Sequence, residues 1–317
     1  MESEPKRGRG LFDGWSKSSL KSLLEGCSWQ WALQRIGGLE GGSTPHSAAG
    51  TGLHAAIEWH EQSRIDGNDA PDKASLIWTA HDEGLRDGEN IPSNLEAYHG
   101  GKDLAGRWAA ELTDTWYESP IRERLLTYTP IAVEPHYEVS VFRDRPNLRG
   151  YLDWVGRDAD GVATVVDYKS ASNVKRWSDA NYHLVEAAVY LYLVSTDEQF
   201  EDEPVRMEWH VIARNGETTI LQGPTMNPDL SYFLFQRLDE AQAIMDAGSY
   251  TQNTSWGLCS PRWCNFYHGC QTSGILGPDH ITFDSPAPAS LPAGRGAGEV
   301  ERVHPPDAAP SPAKPSV

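Results

Sequence analysis

The chain has 317 residues, 39% of them hydrophobic, with twelve tryptophans; that is enough apolar surface for a large core and too much for a mostly disordered protein. Acidic residues outnumber basic ones 45 to 27, a formal charge of −18, which excludes a surface that grips nucleic acid all over but leaves room for a local basic groove. No apolar run approaches the roughly 20 residues needed to cross a bilayer, and the first ten residues lack the apolar stretch of a signal peptide, so a cytoplasmic chain with reduced thiols is expected.

Residues 1–14 read as a flexible arm, polar and basic at its start. A helix begins within 15–19, where serines supply the cap before Leu20, Leu23 and Leu24; it carries Cys27 towards its end, and its pattern extends through Trp29, Trp31 and Leu33. Gly37-Gly38 and Gly41-Gly42 mark a loop. A second helix is expected over 51–63, with Leu53, Ala56, Ile57 and His60 at helical spacing. The stretch 64–102 is rich in Gly, Asp and Asn and reads as an irregular insert with helical pieces near 73–86; helix resumes over 103–117.

Strand character starts at Ile131 and continues where Tyr137, Val139 and Val141 alternate with His136, Glu138 and Ser140. A second strand is expected over 148–156, a tight turn over 158–161 and a third strand over 162–169. A helix follows over 179–194. Strands over 205–213 and 217–221 flank Asn215-Gly216, a strong hairpin signal. Asn227-Pro228 caps a helix that runs to Ala247, with Leu230, Phe233, Leu234, Leu238 and Ala241 on one stripe and Gly248 as its stop. From about residue 283 the composition turns to Pro, Ala, Gly and Ser, and 283–317 is expected to be a disordered tail.

Asp167 and Lys169 stand two apart on the third strand, so both side chains leave one face. A hairpin brings Asp153, on the preceding strand, beside Asp167. Two facing carboxylates offer hard oxygen ligands to Mg²⁺ or Mn²⁺. A lysine beside them stabilises a pentavalent phosphate or helps orient and deprotonate the attacking water. These are the elements of phosphodiester hydrolysis. The same three residues also make an ordinary surface ion-pair set, although the apolar approach over 162–166 is unusual for a plain surface strand.

Gly150-x-x-Asp153 followed by Asp167-x-Lys169 resembles the core of the PD-(D/E)xK nuclease superfamily. Two further segments resemble its RecB-like exonuclease branch. Gly50, His54 and Glu58 are similar to a Gly-x-x-x-His-x-x-x-Glu helix whose histidine joins the metal site. Glu186 to Tyr190 stands where the branch has a DNA-contacting Gln-x-x-x-Tyr helix, with Glu in place of Gln. The resemblance implies an α/β, restriction-endonuclease-like core: a mixed central sheet flanked by helices, with an N-terminal helical region and a C-terminal cysteine segment. It implies Asp153, Asp167 and Lys169 as catalytic residues, with His54, Asp153 and Asp167 holding the divalent cation. Glu186 and Tyr190 are then implied as DNA contacts. Taken on the residues alone, His54 is as readily a satisfied, partly buried side chain, and Tyr190 a core side chain. Lys175 and Arg176, followed by Trp177, offer phosphate contacts and base stacking, or simply a solvated loop. Glu138 stays outside the metal set.

Cys259, Cys264 and Cys270 fall within a turn-rich segment, 257–272, and Cys27 is the fourth cysteine of the chain. In a reducing compartment they read as metal ligands. Four thiolates suit a [4Fe–4S] cluster; Zn²⁺ accepts the same set, or the three C-terminal cysteines with His268. The layout resembles a subset of RecB-like nucleases, CRISPR-associated four-cysteine exonucleases among them, in which one N-terminal and three C-terminal cysteines hold a structural iron–sulfur cluster. Those proteins have two residues between the first two cysteines of the triplet, and this chain has four. The implied domain spans 15–282. No Gly-x-x-x-x-Gly-Lys loop accompanies it, so the implied activity is that of a stand-alone nuclease on single-stranded or end-exposed DNA. Its implied partners belong to a recombination, repair, CRISPR or phage replication system. The alternatives are a catalytically silent DNA-end-binding scaffold and a zinc-stabilised protein with no nuclease activity.

Overall fold

In the computed structural model, which describes residues 12–39, 41–201, 203–267 and 270, the main sheet is ordered β1-β4-β5-β6-β7. Its strands are β1 (Thr129–Val133), β4 (Trp154–Arg157), β5 (Ala163–Ala171), β6 (Val205–Ala213) and β7 (Thr218–Thr225). β5 and β6 run parallel and every other neighbouring pair is antiparallel, so the sheet is mixed. β6 is apolar along most of its length because both of its faces are covered, as parallel strands require. β2 (His136–Val139) and β3 (Leu148–Tyr151) form a separate two-stranded ribbon.

The expected continuous strands, from Ile131 onward and over 148–156, are therefore each broken in two. Pro135 has no N–H to give a ladder, and Glu134 before it takes a left-handed φ of 49°. On the other arm the break falls at Leu152 and Asp153. The two breaks lie side by side: the Glu134 N–H donates to the Asp153 carbonyl at 3.2 Å, and the Leu152 N–H donates to the Pro135 carbonyl at 3.1 Å.

Helices cover both faces. α3 (Pro45–Ile65) starts earlier than expected, because Thr44 and Ser47 form a reciprocal capping box and Pro45 opens the first turn. It packs with α4 (Lys73–Gly88) and α6 (Lys102–Tyr117). The helical piece expected near 73–86 is α4, and α5 (Ser93–His99) adds a second helix, so less of 64–102 is irregular than expected. Its glycines lower helix propensity in isolation, yet in the fold glycines let helices approach. A Cβ on Gly88 of α4 would lie 2.8 Å from the Lys102 Cα, and one on Gly84 3.0 Å from the Ala109 Cβ. α7 (Pro120–Leu126), absent from the sequence reading, leads into β1.

The other face carries α8 (Leu184–Ser195) and α9 (Pro228–Ala247), with the Asn227 cap and left-handed Gly248 stop that the sequence predicts. The expected single N-terminal helix is two: α1 (Lys17–Leu24) and α2 (Ser28–Arg35), with Cys27 at the joint as the N-cap of α2. Trp15 fixes this region to the ribbon, its N–H donating to Asn147 at 2.7 Å and its carbonyl accepting from Arg149 at 2.8 Å. Most of the expected arm, 1–11, the alternative ligand His268 and the expected tail, 283–317, lie outside the described residues. Among the described residues no helix is long and apolar enough to cross a membrane.

Glu208 on β6 is fully buried and ties α7 to the sheet. It accepts from Arg124 at 2.9 Å, Gln222 at 3.0 Å, His210 at 3.0 Å and the Tyr128 hydroxyl at 3.1 Å. Burial alone would raise its pKa, but the His210, Gln222 and Arg124 donors outweigh it and hold the carboxyl at about 2. A carboxyl depressed in the fold stabilises it above its unfolded value and loses that contribution as pH falls through the folded value. Urea midpoints should therefore fall between pH 4.5 and about 2, by an amount equivalent to about 3 kcal/mol. Glu208→Gln should be less stable at pH 7 and show a flatter slope across that window; an unchanged slope contradicts the assignment.

Candidate functional site

The last β4–β5 pair is Trp154 with Val166. Beyond it β5 continues along β6, and its other edge opens onto side chains. Tyr168 presents both backbone groups there: its N–H donates to Asp153 Oδ2 at 2.7 Å, and its carbonyl faces His54 Nε2 of α3 at 2.9 Å. A carbonyl only accepts, so Nε2 carries the proton, and in the neutral ring the Nδ1 lone pair points towards Asp153 Oδ1, 3.6 Å away. Metal-binding histidines are commonly oriented in this way, with the second ring N–H bonded to a backbone carbonyl.

Glu134 completes the group. One ligand atom each from His54, Glu134 and Asp153 lies within 4.8 Å of the others. Burial, then the Asp153 charge, push the Glu134 carboxyl up to about 7, against the pull of His54. Two carboxylates repelling one another beside an imidazole fit a hard divalent cation, which would remove the repulsion. Sequence reasoning missed Glu134, because it treated the strand from Ile131 as unbroken; the proline that follows was the available signal. Glu138, the acid it weighed on that strand, accepts from Asn147 on the ribbon. Glu58 is exposed one turn beyond His54.

Asp167 and Lys169 lie beside this group in a second cluster. Asp167 is fully buried and its carboxylate pairs with Lys17 Nζ at 2.7 Å and with Lys169. Glu186 of α8, also buried, accepts from Lys169 at 2.6 Å and from Lys17 at 2.9 Å. Two ammonium groups thus contact the two carboxylates directly, and a third, Lys21 Nζ, stands 3.9 Å from Glu186. Burial and the Glu186 charge raise the Asp167 carboxyl, whereas the two lysines overcome burial at Glu186 and hold it well below the usual range. Lys17, which sequence reasoning also missed, accounts for the glutamate at 186: a second cation is present to match it. Tyr190 is buried, with Lys17 Nζ 4.5 Å from its ring centroid. Lys175 and Arg176 are exposed on a short 3-10 turn, Val174–Arg176, past β5.

All four cysteines line one small cavity of about 20 Å³, together with Trp29, Trp256 and Phe266. The segment that carries three of them is tied to the α1–α2 joint by hydrogen bonds. Trp29 N–H and Ser28 Oγ donate to the Thr251 carbonyl at 3.1 Å each, and Asn253 Nδ2 donates to the Gly26 carbonyl at 2.9 Å. Burial first, and the neighbouring cysteines after it, push the Cys264 and Cys270 thiols up. Soft sulfur donors converging in an apolar setting fit a cationic group that would hold them as thiolates.

A family model described as the PD-(D/E)XK nuclease superfamily matches residues 14–271. No curated protein matches the chain. Among solved structures, a protein of Eubacterium rectale provisionally named an exonuclease is 15% identical, covering 85% of this chain and 92% of its own at a TM-score of 0.48. A second, SSO0001, is 12% identical, covering 74% of this chain and 86% of its own at a TM-score of 0.30.

The charge cluster gives a stability test. Lys17→Met should leave the two buried carboxylates with Lys169 and, 3.9 Å from Glu186, Lys21, and cost about 2 kcal/mol, less than a fully buried pair would because the ammonium is partly exposed. Adding Glu186→Gln should recover at least half of that loss in urea titrations. Strictly additive losses would show that the two side chains do not compensate each other.

Proposed function

This chain belongs to the PD-(D/E)XK nuclease superfamily, and from that premise we propose that it is a metal-dependent deoxyribonuclease of the RecB-like branch, an exonuclease acting on single-stranded or end-exposed DNA. The observation that carries the reading is the convergence of His54, Glu134 and Asp153 on the open edge of β5, next to Asp167 and Lys169. His54, Asp153 and Asp167 would hold Mg²⁺ or Mn²⁺, and Glu134 adds a further carboxylate to that set. The bound cation would supply Lewis acidity and a more acidic water.

The protein's own groups have separate tasks. The Lys169 ammonium, oriented by Glu186, offers positive charge to the phosphate oxygens as they gain charge. The Tyr168 carbonyl and N–H hold His54 and Asp153 in place. Lys175 and Arg176 offer exposed cations to the backbone of the strand, which local placement permits despite the overall charge of −18. Cys27, Cys259, Cys264 and Cys270 are assigned to a [4Fe–4S] cluster that clasps the C-terminal segment to the α1–α2 joint, with Zn²⁺ as the alternative occupant. A cytoplasmic setting keeps those thiols reduced, and recombination, repair, CRISPR-associated or phage DNA processing would supply the substrate.

Digestion of end-labelled single- and double-stranded DNA with Mg²⁺ or Mn²⁺ tests the reading. Asp167→Asn and Lys169→Ala should each lower the rate by about 10²-fold or more, as loss of a charge-stabilising group does, in protein that circular dichroism shows to be folded, although loss of one charge from the buried cluster lowers the melting temperature. A folded wild-type protein that cleaves neither substrate with either metal would sink the proposal. Anaerobically purified protein should carry about four irons per chain and absorb in the visible, and Cys27→Ser should lose both; a colourless, zinc-loaded protein would assign the clasp to zinc.

A further inference from the structure

Just past the open edge of β5 lies a second cavity, of about 130 Å³, that the chemistry above does not use. Its floor is the end of the active strand, Ser170 to Ser172. Its walls come from four separated parts of the chain: His46 in the first turn of α3, Trp108 in α6, Arg214 just after β6, and Trp263 next to Cys264. The rings form a cage. His46 lies 4.8 Å from Trp108 and 5.6 Å from Trp263, centroid to centroid. The Arg214 guanidinium lies over Trp108 at 3.8 Å. His99 stands behind, 4.4 Å from Trp263, and its Nε2–H donates to the Arg262 carbonyl at 2.6 Å, which seats the tryptophan.

Three properties point to one class of occupant. The volume is close to that of an engineered cavity of about 150 Å³ that admits benzene, so it has room for one aromatic ring. Arg214 is half-buried and forms no ion pair among the described residues, although acids outnumber bases 45 to 27 in this chain; its guanidinium keeps donors for a ligand. Burial, then the charges of Arg214, His99 and Arg262, hold His46 down at about 4, so at neutral pH its ring offers a π-face with one donor and one acceptor. Aromatic faces plus an arginine are what sequence-tolerant binding of unpaired bases uses.

We propose that this cavity is a subsite for one unpaired, pyrimidine-sized nucleobase of single-stranded DNA, held by Trp108, Trp263, His46 and Arg214 beside the cleavage site. The proposal rests on the nuclease reading of the neighbouring groups. Ser172 is three residues beyond Lys169, about 10 Å along an extended strand, so a nucleotide adjoining the cleaved bond reaches it. The base takes the stacking faces, and its carbonyl oxygen accepts from Arg214. Because Trp263 precedes Cys264, the cysteine segment supplies one wall of the subsite and connects the clasp to substrate binding.

The test is binding of fluorescein-labelled oligothymidylates in EDTA, followed by anisotropy, with one abasic nucleotide moved stepwise along the strand. Wild type should lose about 5- to 150-fold in affinity, the range of one base–aromatic stack, when the abasic nucleotide falls at one particular position. Trp108→Ala and Arg214→Ala should weaken the intact oligomer and become insensitive to that position, so the two losses do not add. Trp78→Ala, an exposed tryptophan elsewhere on α4, should bind as wild type. If Trp108→Ala does not fold, Arg214→Ala, at the rim, carries the test alone. Wild type that binds and cleaves while no abasic position matters, or variants that lose affinity equally at every position, would overturn the subsite and leave the nuclease reading standing. A wild-type protein that neither binds nor cleaves DNA overturns both.

Discussion

At Glu134 and Pro135 on one arm, and at Leu152 and Asp153 on the other, a single β-hairpin leaves the main sheet and becomes a separate ribbon. The two breaks hydrogen-bond to each other, so neither arm can be straightened alone. Their consequence is chemical. Ending β4 at Trp154 leaves the Tyr168 backbone without a strand on that side, and the groups that satisfy it are Asp153 and His54. The residues at the two breaks contribute both carboxylates of the candidate cation site. Glu134 holds its place in a left-handed conformation that costs a non-glycine residue about 1–2 kcal/mol, an expense that packing and the second arm offset.

The second dependence is electrostatic. Asp167 and Glu186 are buried carboxylates, and isolated buried charges are far too costly to persist. They persist because Lys169 comes from the strand that carries Asp167, and Lys17 from α1, 150 positions away from Asp167. Trp15 holds α1 against the ribbon through a parallel bridge to Leu148, and Lys17 follows two residues later. The N-terminal helix is therefore part of the site's charge balance rather than a decoration on the nuclease core. A strongly acidic chain has placed two of its few lysines against the buried carboxylates Asp167 and Glu186.

The same economy links the cysteine segment to the cavity beyond β5. Hydrogen bonds from Ser28, Trp29 and Asn253 already join the segment to the α1–α2 joint, so closing a loop of more than two hundred residues does not fall to the sulfur ligands alone. The same turn-rich segment carries three of the cysteines and presents Trp263 to the cage, so the proposed clasp and the proposed base subsite are two ends of one piece of chain.

Much of this molecule was legible in its sequence, because the signals were local. Alternation and apolar runs marked β5 and β6; Asn227-Pro228 and Gly248 bounded α9; and the motif resemblance pointed to His54 and Asp153, which the fold brings together with Glu134, and to Asp167 and Lys169, which it pairs in the adjoining cluster. The gaps share one physical cause. Propensity treated the glycines of 64–102 as breakers, whereas helix packing uses glycines as clearance. Periodicity ran a strand through Glu134 and past Pro135, because strand identity depends on which partner the backbone pairs with. It ran one helix across Cys27, where the cap of a second helix stands. Nor did any pattern announce that Lys17 would neutralise Glu186, since ion pairs in a low-dielectric interior are set by proximity across the fold. The sequence by itself determined the elements and the reactive residue types; the tertiary structure alone decided which charges share an interior, where the hairpin changes sheets and which side of β5 stays open.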